Sequence, residues 1–154
     1  MSDLPDEMSF GGPSPQDVAN GTAILASALV REAEALASAA AGMRGSLDVL
    51  DDTPGQRMVQ ASAVQAATLA GALSLVARLL LHFTGDAERA AQEAAAGLPR
   101  GAVSGRTILG HLRAASLAPV TDDGAARIAA AIVAETFAMA FDAAWRDAPG
   151  GQGD

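Results

Sequence analysis

The stretch SPQDVANGTAILASALVREAEALASAAAGM, residues 14–43, decides the fold class. It opens with a helix-start signal: Ser14 to cap, Pro15 at the first helical position and Asp17 at the third. Its large apolar residues then run Val18, Leu25, Leu29, Leu36, Met43, Leu47 and Leu50, with gaps of 7, 4, 7, 7, 4 and 3. A near-seven-residue repeat is the spacing of a helical seam that buries one stripe against other helices. Gly42 and Gly45 weaken the last turns, so the helix is expected to end near Met43 or to fray toward Leu50.

The same grammar recurs downstream. Thr53-Pro54-Gly55-Gln56 starts a second helix, whose stripe is Leu69, Leu73, Val76, Leu80 and Phe83. Leu75, Leu79 and Leu81 widen that stripe almost to the full circumference, the pattern of a helix central in a bundle or held in an interface. Thr84-Gly85-Asp86 breaks the chain, Ala87–Ala96 forms a short helix ended by Gly97, and Ser104 caps another that runs to Leu117 before Pro119. Thr121-Asp122-Asp123 places acids at the positive end of a last helix, whose expected core face is Ile128, Ile132, Val133, Phe137, Phe141 and Trp145. No alternation of apolar and polar residues survives long enough to make a strand. The expectation is an all-α helical bundle of about five helices, three long (15–44, 54–83, 122–147) and two short (87–96, 105–117). These form one domain over residues 14–148, between a polar lead at 1–13 and a Gly-rich tail at 149–154.

Composition narrows the function classes. Of 154 residues 38 are Ala, against four Phe, one Trp and no Tyr, so the chain forms helices readily but buries little apolar area per residue. Helices must then approach closely or share burial with another subunit. Cys is absent, which excludes disulfides and thiolate metal sites. The first residues carry Asp3, Asp6 and Glu7 where a signal peptide needs basic ones. The uncharged run Met58–Ala77 is the sole membrane-span candidate, and Gln60, Ser62, Gln65, Thr68 and Ser74 within it favour a bundle helix. A cytoplasmic protein without membrane association is expected. A net charge of −8 disfavours general nucleic-acid binding.

Few residues carry recognisable chemistry. His82 has Asp86 one turn later, and such a pair supplies two metal ligands only if a third, such as Glu135, arrives by folding. His111, in GHLRAAS, resembles a phospho-accepting histidine of a helical bundle, although its spacing departs from that pattern by one residue. No paired Glu-x-x-His signature or Ser–His–Asp spacing is present, and no metal or cofactor is expected.

The segment 94–121 stands apart. It holds no acid, and Arg100, Arg106 and Arg113 make it +3, so the other residues sum to −8 − 3 = −11. Ser104, Arg106, Thr107, His111 and Arg113 lie on or at the start of one helix, whose unpaired N–H groups suit an anion. The run VSGRTILGHLR, residues 103–113, resembles the recognition helix of some helix-turn-helix proteins, with 86–96 as the supporting helix. The connection from Gly97 to Ser104 exceeds the usual ~3–4 residues of that motif.

The leading expectation is a non-enzymatic interaction or assembly protein that self-associates. Leu25, Leu29, Leu36 and Met43 on the first helix, and Ala63, Ala67, Gly71, Leu75 and Leu79 on the second, are the candidate surface. The alternative is a regulator that binds DNA or another polyanion through Arg100, Arg106 and Arg113. The third is a bundle enzyme or phosphorelay protein that uses His82 or His111.

Overall fold

A computed structural model of the chain describes residues 12–47, 52–117 and 122–147. The described residues form an all-α bundle of five helices: α1 Pro15–Gly45, α2 Pro54–His82, α3 Ala87–Gly97, α4 Gly105–Ser116 and α5 Gly124–Asp147. Residues 1–11 of the expected lead and all of the expected tail lie outside the described residues.

Side chains named by the start signals make the caps. Ser14 Oγ accepts from Asp17 N at 3.1 Å while the Asp17 carboxylate accepts from Ser14 N at 3.3 Å, a reciprocal capping box. Thr53 caps α2 through Gln56 N at 3.1 Å, Asp86 caps α3 through Arg89 N at 3.1 Å, and Ser104 caps α4 through Thr107 N at 3.4 Å. Asp123 accepts from Ala126 N at 3.1 Å, so α5 starts at Gly124 rather than at 122. Each such cap contributes about 1 kcal/mol. The first helix ends at Gly45, with Ser46 closing back onto Met43 and Arg44.

α1 and α2 pair as a long antiparallel hairpin, and α5 lies alongside α1, α3 and α4. α4 also touches α1, whereas the backbones of α2 and α5 do not come together. The core is centred on α5. Phe137 and Phe141 stack at 5.7 Å, Phe141 and Trp145 at 5.1 Å, and all three are buried. Leu25 and Leu29 of α1, Leu73, Val76 and Leu80 of α2, and Ile108 and Leu112 of α4 close around them.

Ile128 and Ile132 depart from the expected core face, being 62% and 43% exposed. The step from Ile132 to Val133 turns the helix by about 100°, and the aromatic stripe at 133, 137, 141 and 145 continues only from Val133. Where α1 crosses α5, the side chain is absent by necessity. A Cβ on Gly21 would lie 2.6 Å from Ala130 N, 2.8 Å from Ala129 Cβ and 2.9 Å from Ala126 O. The close approach that an alanine-rich composition demands is made there.

Beyond this body the α1–α2 hairpin continues as an arm. In α1 after Ala33 only Ala40 is buried, and in α2 before Ala70 only Ala63.

Candidate functional site: a basic cleft and an uncharged helix face

The acid-free segment does not present its arginines together. Arg100, in the connection between α3 and α4, lays its guanidinium over the Trp145 ring at 3.8 Å from the centroid. Its Nη1 and Nη2 are enclosed with no hydrogen-bond partner, and so is Trp145 Nε1. That connection is held by Ala102 and Val103 N–H groups donating to Pro99 O, with Leu98 and Val103 buried. His111 turns toward α1, its Nδ1 3.4 Å from Glu32 Oε2. Ser104 is occupied as the α4 cap, and Thr107 is exposed.

Arg106 and Arg113 do meet, in an open cleft of about 300 Å³ between the face of α4 from Gly105 to Arg113 and the last turns of α5. From α5 the cleft gains Arg146 and Asp142, with Trp145, Phe141 and Met139. Arg113 Nε donates to Glu135 Oε2 at 3.4 Å, and Arg146 Nη2 lies 3.1 Å from Asp142 Oδ2. Arg106 is exposed and has no acidic partner among the described residues. Sequence reasoning missed Arg146, Asp142 and Trp145. They lie in the acid-containing last helix, and no local signal ties an Arg at a helix end to a segment more than 30 residues earlier.

The helix-turn-helix resemblance is not matched by the packing. α3 and α4 do not lie against each other; each packs on α5 instead, and the connection runs from Leu98 to Ser104. A supporting helix that does not touch the recognition helix leaves that motif without its scaffold.

His82 is exposed and meets Phe83 edge-on at 4.6 Å, while Asp86 is engaged as the α3 cap and Glu135 with Arg113. Among the described residues no three His, Asp or Glu side chains gather as a metal-binding group. A second, smaller cavity of about 150 Å³ lies between Val18, Thr22, Leu80, Phe83 and Ile132, and the buried Thr22 hydroxyl has no partner.

The candidate self-association residues divide sharply. Leu25, Leu29 and Ala63 are fully enclosed within the chain and offer nothing to a second copy. Leu36, Met43, Ala67, Leu75 and Leu79 are half-buried, and Gly71 is exposed, with nothing within 4 Å of where its Cβ would stand. On the outward side of α2 a different seam emerges: Ala61, Val64, Thr68 and Gly71, at intervals of 3, 4 and 3, whereas Leu75 packs inward against the core. Val64 is 52% exposed, and no charged residue occurs from Met58 to Ala77.

Two helices, Pro54–His82 and Gly124–Asp147, are long and apolar enough to cross a membrane by length and composition alone. Only 33% of the most apolar segment of the first is buried in the chain, against 44% for the second. Compared with protein-family models, curated proteins and solved structures, the chain matches none.

Proposed function

We propose that the protein is a non-enzymatic assembly module that pairs with a second copy of itself through the outer face of α2. The observation that carries this reading is the outward seam Ala61–Val64–Thr68–Gly71, set in a helix without a charge from Met58 to Ala77. A chain of net charge −8 repels its own copy almost everywhere. Along this face two copies meet with no opposed charges. The 3–4 spacing is that of a helix-pairing stripe, and Gly71, with nothing within 4 Å of where its Cβ would stand, lets two backbones approach closely. A two-fold arrangement puts the same patch on both sides.

The same reading keeps the chain out of the bilayer and in the cytoplasm. α2 is paired along its length with α1, whose exposed Arg31, Glu34 and Arg44 would have to enter the membrane with it. Gln60, Gln65 and Thr68 also leave α2 wetter than a lipid-facing helix.

Sedimentation velocity on the full chain across the micromolar range tests the proposal. A dimer is expected, and Val64→Glu or Gly71→Glu, each placing like charges opposite one another across the two-fold, should convert it to monomer with unchanged helical content. A monomer throughout that range, or a dimer indifferent to both substitutions, overturns the reading.

A further inference from the structure

We infer that the α4–α5 cleft is a binding site for a small organic anion, a single phosphate or carboxylate carried on a flat apolar body; this site is independent of the α2 pairing face. Three guanidinium groups, Arg106, Arg113 and Arg146, converge on one concavity against the single carboxylate of Asp142, in a chain that is otherwise strongly acidic. The first turn of α4 lines the same space, so the positive end of its dipole favours an anion there.

The ion pairs around the cleft do not close it to a ligand. Arg113–Glu135 and Arg146–Asp142 leave side chains 53%/61% and 74%/48% exposed, and pairs so exposed are weak. Both guanidiniums can therefore turn to an incoming anion at little cost, and Arg106 has no acidic partner to leave. Bidentate guanidinium–oxyanion pairing then holds the acid.

A second observation points the same way. Behind the lining, Arg100 is stacked on Trp145 with Nη1 and Nη2 enclosed and no hydrogen-bond partner among the described residues. An enclosed cation without a carboxylate is costly, and the stack on the indole offsets only part of that. Its uncompensated charge sits against the same ring that lines the cleft, so an anion in the cleft relieves it.

Met139, 71% exposed at the rim, supplies the apolar side, over the buried Leu109, Phe141 and Trp145. A space of about 300 Å³ is at the lower end of small-ligand pockets. Duplex DNA is read by charges spread along an extended surface, whereas these three arginines line one hollow.

Trp145 is the only tryptophan of the chain, so its emission reports directly on the cleft. Phenyl phosphate titrated into the full-length protein should give a saturable change in that emission at millimolar concentration or below. Inorganic phosphate, which lacks the ring, should compete at least about fivefold more weakly. Arg106→Gln should weaken phenyl phosphate at least about tenfold, the loss of a charge-assisted pair. Arg127→Gln, on the exposed first turns of α5 away from the cleft, should leave it unchanged. Absence of a saturable change up to millimolar phenyl phosphate overturns the proposal, as does equal weakening in both variants. Salt-sensitive binding of a duplex oligonucleotide that displaces phenyl phosphate also overturns it, in favour of a polyanion surface.

Discussion

The body of the bundle and the α1–α2 arm are made from the same alanine-rich helices, and their packing differs completely. In the body, α5 brings Phe137, Phe141 and Trp145 into contact with α1, α3 and α4, and Leu25, Leu29, Leu73 and Leu80 are enclosed around them. In the arm the enclosed residues are two alanines, Ala40 and Ala63. Alanine gives a helix its propensity but not its neighbours, so a helix rich in it is held only where another element supplies bulk. The body has that element. The arm lacks it within one chain, and it is along the arm that α2 turns an uncharged seam outward.

The comparison breaks most visibly under side-chain deletion. Phe137→Ala removes a fully buried ring from one end of the aromatic stack and should destabilise the protein by about 3–5 kcal/mol in urea unfolding. Met58→Ala, at a position 71% exposed in the arm, should change stability by less than about 0.5 kcal/mol. Comparable losses at the two positions would mean that the arm carries core packing of its own.

How much of this was legible in the sequence depends on whether a feature is local. Caps are local: Ser14, Thr53 and Ser104 each act on an N–H three residues on and are readable as helix starts, whereas Asp86, read as part of a chain break, proves to be a cap as well. The stripe of α2 from Leu69 to Phe83 was readable too, because a helix repeats its own face. Close approach is not local. Gly21 lies unremarked in the first helix, and only the arrival of Ala126, Ala129 and Ala130 makes a side chain there impossible. The small-residue ridge singled out from spacing, Ala63, Ala67 and Gly71, divides instead between an inward and an outward face. The cleft was half legible: Arg106 and Arg113 share a helix face, but Arg146 and Trp145 join them only through the α4–α5 packing. Arg100, grouped with them by charge, stacks instead on an indole ring.

Gly21 therefore gives the next largest effect. Gly21→Ala forces a methyl group into the α5 backbone at 2.6 Å from Ala130 N, and backbone cannot yield as a side chain tip does. The expected loss is about 1–3 kcal/mol, with α1 and α5 displaced from one another, despite the gain in helix propensity. Thermal unfolding followed by far-ultraviolet circular dichroism measures it, and an unchanged or raised Tm would remove the α1–α5 crossing from the description of the body.

A smaller effect sharpens the comparison most, because it uses the same substitution on the outward face of α2. At Gly71 a new methyl group meets nothing within 4 Å in the single chain, so Gly71→Ala should stabilise α2 by about 0.5–1 kcal/mol through propensity alone. That gain belongs to the monomer and is read at protein concentrations low enough to dissociate any pair. At concentrations where two copies associate, the added methyl groups stand between two backbones, and pairing should weaken while the monomer is strengthened. Opposite signs in the two regimes follow only if the outward seam of α2 is a contact face. A gain of the same size at every concentration would leave Gly71 an ordinary exposed helix glycine, and the seam a solvated surface.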